Sequence, residues 1–185
     1  NSLCALNRDS EGFDAYIKAR EHAKLTKNPI HISTVSINIA LIKKTHKDYQ
    51  ETIDILLENL TLLKKLDDSD TGKLNNERII LMQLADTYLR ISKPKDAEYY
   101  NNLAFKKTSK EKSTGHYYWI LANDAIIKYQ TKKYKQSIAI CREIENYFIS
   151  INNTSELLTP YFFIGKNNYQ LGKFPEAIEN LEKVI

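Results

Sequence analysis

Between residues 155 and 185 the apolar positions fall into two helical stripes. Leu158, Tyr161, Phe162, Gly165 and Tyr169 keep offsets of 0, 3, 4, 7 and 11, which trace one face of a helix. Phe174, Ala177, Ile178, Leu181 and Val184 then follow the i, i+3, i+4, i+7 rule of a second. Gly172 separates the stripes as a helix C-cap does, and Pro175 stands in a first turn, where its missing N–H costs nothing.

The pattern returns forty residues earlier. Tyr118, Leu121, Ala122, Ala125 and Tyr129 match the first stripe, and Tyr134, Ser137, Ile138, Cys141 and Ile144 match the second. Forty further back stand Leu81, Leu84, Ala85 and Tyr88, then Pro94, Ala97, Asn101 and Ala104. An earlier copy holds Tyr49, Thr52, Ile53, Leu56 and Leu60, 45 residues before its successor; the extra residues fall in the polar stretch 67–76 around Gly72. The first copy shows only its second helix, through Phe13, Tyr16, Ile17 and Ala23.

These stripes predict ten helices, the first partial, over residues 1–8, 11–26, 30–45, 48–65, 76–91, 94–108, 114–131, 134–150, 155–171 and 174–185. The punctuation is Asn28-Pro29, residues 67–76, residues 113–115 and Asn152-Asn153. The whole chain, 1–185, reads as one helical-repeat domain with copies near 1–27, 30–65, 76–108, 114–150 and 155–185.

Leu84-Ala85-x-x-Tyr88 followed by Ala97, and Ile164-Gly165 followed by Gly172-Lys173-Phe174 and Ala177, resemble the tetratricopeptide repeat. Ala85, Gly165, Ala97 and Ala177 occupy the motif's close-packing points, where small side chains let two helices approach. The departures are a period near 40 instead of about 34, an aromatic at Tyr169 one residue late, and Thr52 and Ser137 in place of alanine. The resemblance implies an all-α fold, a right-handed superhelical stack of antiparallel helix pairs. It also implies that the first helix of each pair lines a concave groove. Its partner-facing residues would then be Gln83, Asp86 and Arg90, then Trp119, Asn123 and Tyr129, then Lys166, Tyr169 and Gln170. The lone tryptophan is the sharpest candidate, because tryptophan and arginine dominate binding hot spots. Asp86 and Arg90, four apart, could instead pair on their own helix. The paired Lys and Asn with which some such arrays grip a terminal carboxylate are not found.

Composition adds bounds. The chain is 42% hydrophobic and 27% charged, enough to bury a core, and only five glycines and four prolines argue against a turn-rich sheet protein. Its 27 basic and 23 acidic side chains are too balanced to imply nucleic acid or an anionic membrane. Cys4 and Cys141 show no metal or disulfide spacing and read as packing residues. No apolar run approaches the roughly 20 residues of a membrane span. The sequence begins at Asn1 and stops at Ile185 inside a helical pattern, so it reads as an excised piece of a longer protein. Its compartment is open: cytoplasmic is slightly favoured, the periplasmic side fits a parent with an export signal and a membrane helix.

No enzymatic site is expected, and no cofactor. His22, His31, His46 and His116 lack the one-turn spacing of a zinc site. Thr71-Gly72-Lys73 is only a fragment of a phosphate loop. Counting from Asp67 as a calcium loop, Gly72 is sixth but Arg78 falls twelfth, where a bidentate Glu is needed; a solvated inter-repeat loop fits better. Lys43-Lys44, Lys64-Lys65, Lys106-Lys107 and Lys132-Lys133 lie near helix ends, where cations offset the dipole. They are not in register on first helices, as RNA-reading repeats require. The expected partner is thus a protein or peptide, with no nucleic-acid or membrane contact by this segment and with self-association possible through the open C-terminal end. Two settings fit. The long repeats and Lys/Asn/Ile-rich composition resemble the tetratricopeptide sensor segment of bacterial AraC-type transcription regulators. The alternative is a free-standing scaffold or adaptor; a receptor domain linked to an enzyme such as a phosphatase is a weaker third.

Overall fold

The computed structural model describes residues 9–108 and 114–185; the expected helix over 1–8, and Cys4 with it, lie outside them. The described residues form helices and no strand: α1 (Asp9–Thr26), α2 (Pro29–Thr45), α3 (Tyr49–Leu63), α4 (Thr71–Arg90), α5 (Pro94–Lys106), α6 (Thr114–Gln130), α7 (Tyr134–Ser150), a 3-10 turn (Thr154–Leu157), α8 (Leu158–Gln170) and α9 (Phe174–Glu182). They fall into two compact units, Asn1–Thr87 and Tyr88–Ile185, divided within α4. In unit 1, α2 packs on α1 and α3; in unit 2, α6 packs on α5, α7 and α8, and α8 on α7 and α9.

Each hairpin turns in the same way. Three residues join α2 to α3, α4 to α5, α6 to α7 and α8 to α9, and the middle one is left-handed: Lys47 (φ 65°), Ser92 (58°), Lys132 (61°) and Gly172 (74°). Two backbone bonds close every turn. The middle N–H donates to a carbonyl three back (Lys47 to Lys44, Ser92 to Leu89, Lys132 to Tyr129, Gly172 to Tyr169, 3.0–3.1 Å), and the next N–H to one five back (Asp48 to Lys43, Lys93 to Tyr88, Lys133 to Lys128, Lys173 to Asn168, 2.8–3.0 Å). This is the Schellman motif, which satisfies carbonyls that a helix end would leave open. Only Gly172 announces it in the sequence. The other three turns carry a side chain in a conformation that costs about 1–2 kcal/mol.

Small residues set the helix spacing. Ala40 and Thr52 in unit 1, and Ala125, Ser137 and Ala177 in unit 2, are buried to within 3%. Thr52 and Ser137, the departures from alanine, fill the places of small residues. Ser137 Oγ donates to the Ala125 carbonyl (2.8 Å) and ties α7 to α6, whereas Thr52 Oγ1 donates to the Asp48 carbonyl at the start of its own helix (2.9 Å) and has the Ala40 carbonyl farther off at 3.4 Å. In the last hairpin the approach is closer still. A Cβ on Gly165 would stand 2.6 Å from Leu181 Cγ and 3.2 Å from the Ala177 carbonyl. Cys141 is free and buried against Ala125 and Ile164, and burial pushes its thiol up to about 12.

One boundary differs from expectation. α4 begins at Thr71, five residues before the predicted start, so residues 71–76 of the expected loop 67–76 are helix. The Asp70 carboxylate accepts from the Lys73 N–H (2.9 Å), and Asp67 accepts from the Ser69 N–H (2.8 Å) and hydroxyl (2.6 Å). The polar side chains that mimic a loop are tied down. Lys73 Nζ donates to the Leu66 carbonyl (2.8 Å) and Asp68 (2.5 Å), and Asn76 Nδ2 to the Ile30 carbonyl (3.3 Å) and Thr34 hydroxyl (3.0 Å) of α2. Gly72 lets α4 approach Ile30, whose Cγ2 a Cβ would meet at 3.1 Å. Gly72 thus lies in the first turn of a helix and not at the sixth place of a calcium loop. A smaller difference is that α8 starts at Leu158, after the 3-10 turn, where a helix from 155 was expected.

Gly165→Leu should lower stability by roughly 1–3 kcal/mol through overpacking against Leu181 and the Ala177 carbonyl. Thermal denaturation followed by circular dichroism measures this. An unchanged midpoint would mean that Gly165 does not face α9.

Candidate functional site: one flank of the first helices

Ala85, Ala125 and Gly165 are equivalent positions on α4, α6 and α8, and all three are buried. At about 100° per residue, the nine candidate residues lie between about 40° and 160° round the helix from these positions, on one flank. The pattern that located the small residues therefore also assigns this flank.

In unit 1 the flank is closed by an ion pair. Lys44 of α2 donates to Gln83 Oε1 (2.5 Å) and Asp86 Oδ2 (2.6 Å) of α4. The Lys44 and Asp86 side chains are 12% and 16% exposed, so the pair is largely out of water. Gln83, 2% exposed, has little surface left for a partner. Lys44 was not among the sequence candidates, and the partner it gives Asp86 lies on another helix.

Unit 2 makes the equivalent contact with different chemistry. Tyr129 stands four residues after Ala125, as Lys44 stands four after Ala40; Phe163 and Lys166 correspond to Gln83 and Asp86. The Tyr129 and Phe163 rings meet edge to face at 5.6 Å between centroids, and Lys166 Nζ lies 4.7 Å from the Tyr129 centroid, 5.1 Å from Phe162 and 5.7 Å from Phe163. An ammonium over ring faces is held by their quadrupoles. One repeat junction is thus polar and the other aromatic at the same positions.

The remaining candidates divide by exposure. Trp119 is 43% exposed and Tyr169 60%, the latter edge-on to Phe174 at 5.7 Å. Arg90 and Gln170 are exposed, while Asn123 is buried at 2%. Phe162, 40% exposed beside Lys166, belongs with this group. Sequence reasoning passes over it because it sits in the apolar stripe, where an aromatic reads as core.

The fold is that of tetratricopeptide-like repeat proteins. The chain superposes on BtubC (BKLC) from P. vanneervenii with a TM-score of 0.72 at 19% identity, over 95% of this chain and 72% of that one. It also matches the nearly identical TPR-like repeats of a putative kinesin light chain from Podosopora anserina, with a TM-score of 0.68 at 12% identity, over 99% of this chain and 88% of that one. A single-substitution form of those repeats gives a TM-score of 0.69. No family model and no curated protein matches the chain.

Lys44→Met should cost about 1–3 kcal/mol, because it removes a donor from two poorly hydrated acceptors. Adding Asp86→Leu should recover much of that loss, as apolar replacements of buried pairs do. Urea denaturation of both variants and the parent tests this; a single variant as stable as the parent would show that the pair is solvated.

Proposed function

We propose that the chain is a protein- or peptide-binding module that receives its partner on the flank of α6 and α8. The observation that carries this reading is the exposure of Phe162 beside an ammonium fixed on three rings, with Trp119 exposed ten residues before Tyr129 on the same side of α6. Tryptophan anchors binding well because it offers much contact area together with a polar handle. Lys166 adds a fixed cation next to Phe162, so an extended peptide that runs along α6, with a side chain against Trp119 and a carbonyl or carboxylate near Lys166, fits the chemistry. Arg90 and Gln170 supply further polar contacts, and no catalytic role is assigned to any of these residues.

The finer setting is a sensor or interaction segment of a bacterial signalling or transcription regulator of the AraC type. Its support is the length of the repeats and the Lys/Asn/Ile-rich composition. A free-standing scaffold or adaptor uses the same flank in the same way. No helix among the described residues is long and apolar enough to cross a membrane.

Peptides selected on the parent protein from a displayed random library should bind Trp119→Ala and Phe162→Ala about ten- to a hundredfold more weakly, the range for central anchors. Isothermal titration measures both. Equal affinity for the parent and both variants would rule this flank out as the binding surface.

A further inference from the structure

The positive charge of the chain resides in unit 2. Residues 88–185 carry 15 basic and 10 acidic side chains, residues 1–87 carry 12 and 13. Much of that excess lines one edge. Lys93, Lys132, Lys133 and Lys173 sit in the three hairpin turns, and Lys95 and Lys135 in the helix turns that follow. The three turns are neighbours: Gln130 Nε2 at the end of α6 donates to the Leu89 carbonyl at the end of α4 (3.0 Å), and Leu171 walls the same cleft as Lys132 and Lys133.

All six lysines are exposed, and none forms an ion pair among the described residues. Some lysines elsewhere are paired, Lys43 with Glu51, Lys44 with Asp86, Lys73 with Asp68 and Lys128 with Glu98 and Asp124, while other exposed ones such as Lys18, Lys47 and Lys64 are not. Lys93, Lys133 and Lys173 are the N-cap residues of α5, α7 and α9, and make no capping hydrogen bond. Each also closes the C-terminal turn of the preceding helix, so its charge opposes one helix dipole and offsets the other. No ion pair or capping bond among the described residues holds these side chains.

The middle turn is the most positive. Asp96 and Glu176 place a carboxylate in the first turn of α5 and α9, but the equivalent residue of α7 is Gln136. Lys132, Lys133, Lys135, Tyr134, Gln136 and Leu171 there line an open cleft of about 330 Å³. Its wall carries three ammonium groups and no carboxylate, with Tyr134 and Leu171 as apolar surface.

We propose that this edge of unit 2 is a second interaction surface, bordering the flank of α6 and α8 where the Tyr134 ring meets that of Tyr129 (5.9 Å between centroids), and that it takes an acidic protein segment. Aspartate and glutamate side chains of such a segment would pair with Lys132, Lys133 and Lys135, while its aliphatic parts lie on Tyr134 and Leu171. Charge complementarity argues for an acidic occupant. Spacing argues for an extended one, since the row continues over three successive turns.

The test is fluorescence anisotropy of a labelled oligoglutamate peptide with the whole chain at physiological salt, where screening acts over about 8 Å. The parent should bind saturably, and Lys133→Glu/Lys135→Glu should bind at least about tenfold more weakly, with Lys133→Gln/Lys135→Gln in between, because exposed charge pairs are individually weak but add along a row. Circular dichroism should show both variants folded and no less stable, since both side chains are exposed. Trp119→Ala should bind the peptide like the parent, which separates this surface from the flank. The proposal is overturned if no saturable binding is seen, or if the glutamate variant binds like the parent. It is also overturned if the two lysines matter more for a single-stranded oligonucleotide or for phosphatidylserine vesicles that bind more tightly than the peptide.

Discussion

The close approach of paired helices at small residues is the constraint on which the other features rest. At Gly165 there is no space for even one more carbon beside Leu181 and the Ala177 carbonyl. The Ala125 carbonyl accepts a hydrogen bond from the Ser137 hydroxyl of the facing helix, and Thr52 packs at the matching place against Ala40. With two helices pinned there, the three-residue turn that joins them has little freedom, and the same pair of backbone bonds closes it each time. The pinning also fixes the rotation of each first helix, and hence which side chains reach the flank. An exposed Trp119 and a ring-bound Lys166 follow from where Ala125 and Gly165 are buried.

A single helix pair has one buried face and one that still needs cover, so successive pairs must meet. The side chains that make those meetings differ in kind within this one chain. Lys44 with Gln83 and Asp86 in unit 1, and Tyr129 with Phe163 and Lys166 in unit 2, hold equivalent positions. The polar junction contributes through charge in a poorly hydrated place, where loss of one partner is expensive. The aromatic junction contributes through area and leaves Phe162 in contact with solvent. In the proposed binding role a rigid surface that a partner can cover is needed, and Phe162 beside the ring-bound Lys166 is such a surface.

Much of this is legible in the sequence, because helix-period apolar stripes and small residues forty apart report directly on burial. The all-α repeat fold and the order of the described helices follow from them. What escapes is set by contacts distant in sequence. The start of α4 looks like a loop because Lys73 and Asn76 are polar, yet their partners are the Leu66 carbonyl and groups on α2, 42 and 46 residues from Asn76. The left-handed turns at Lys47, Ser92 and Lys132 carry no glycine to mark them. Gln83 and Asn123 look available because they are polar and on the flank, but both are 2% exposed. Phe162 reads as core because aromatics on an apolar stripe usually are.

Trp119 is the single tryptophan of the chain, so its fluorescence reports on the flank without labelling. Titration with a peptide selected on the parent protein should shift its emission to shorter wavelength, saturably, and protect it from quenching by iodide, because the peptide would take the indole out of water. Emission and quenching that stay unchanged when the peptide is fully bound would contradict the account, for the partner would then sit somewhere other than the flank of α6 and α8.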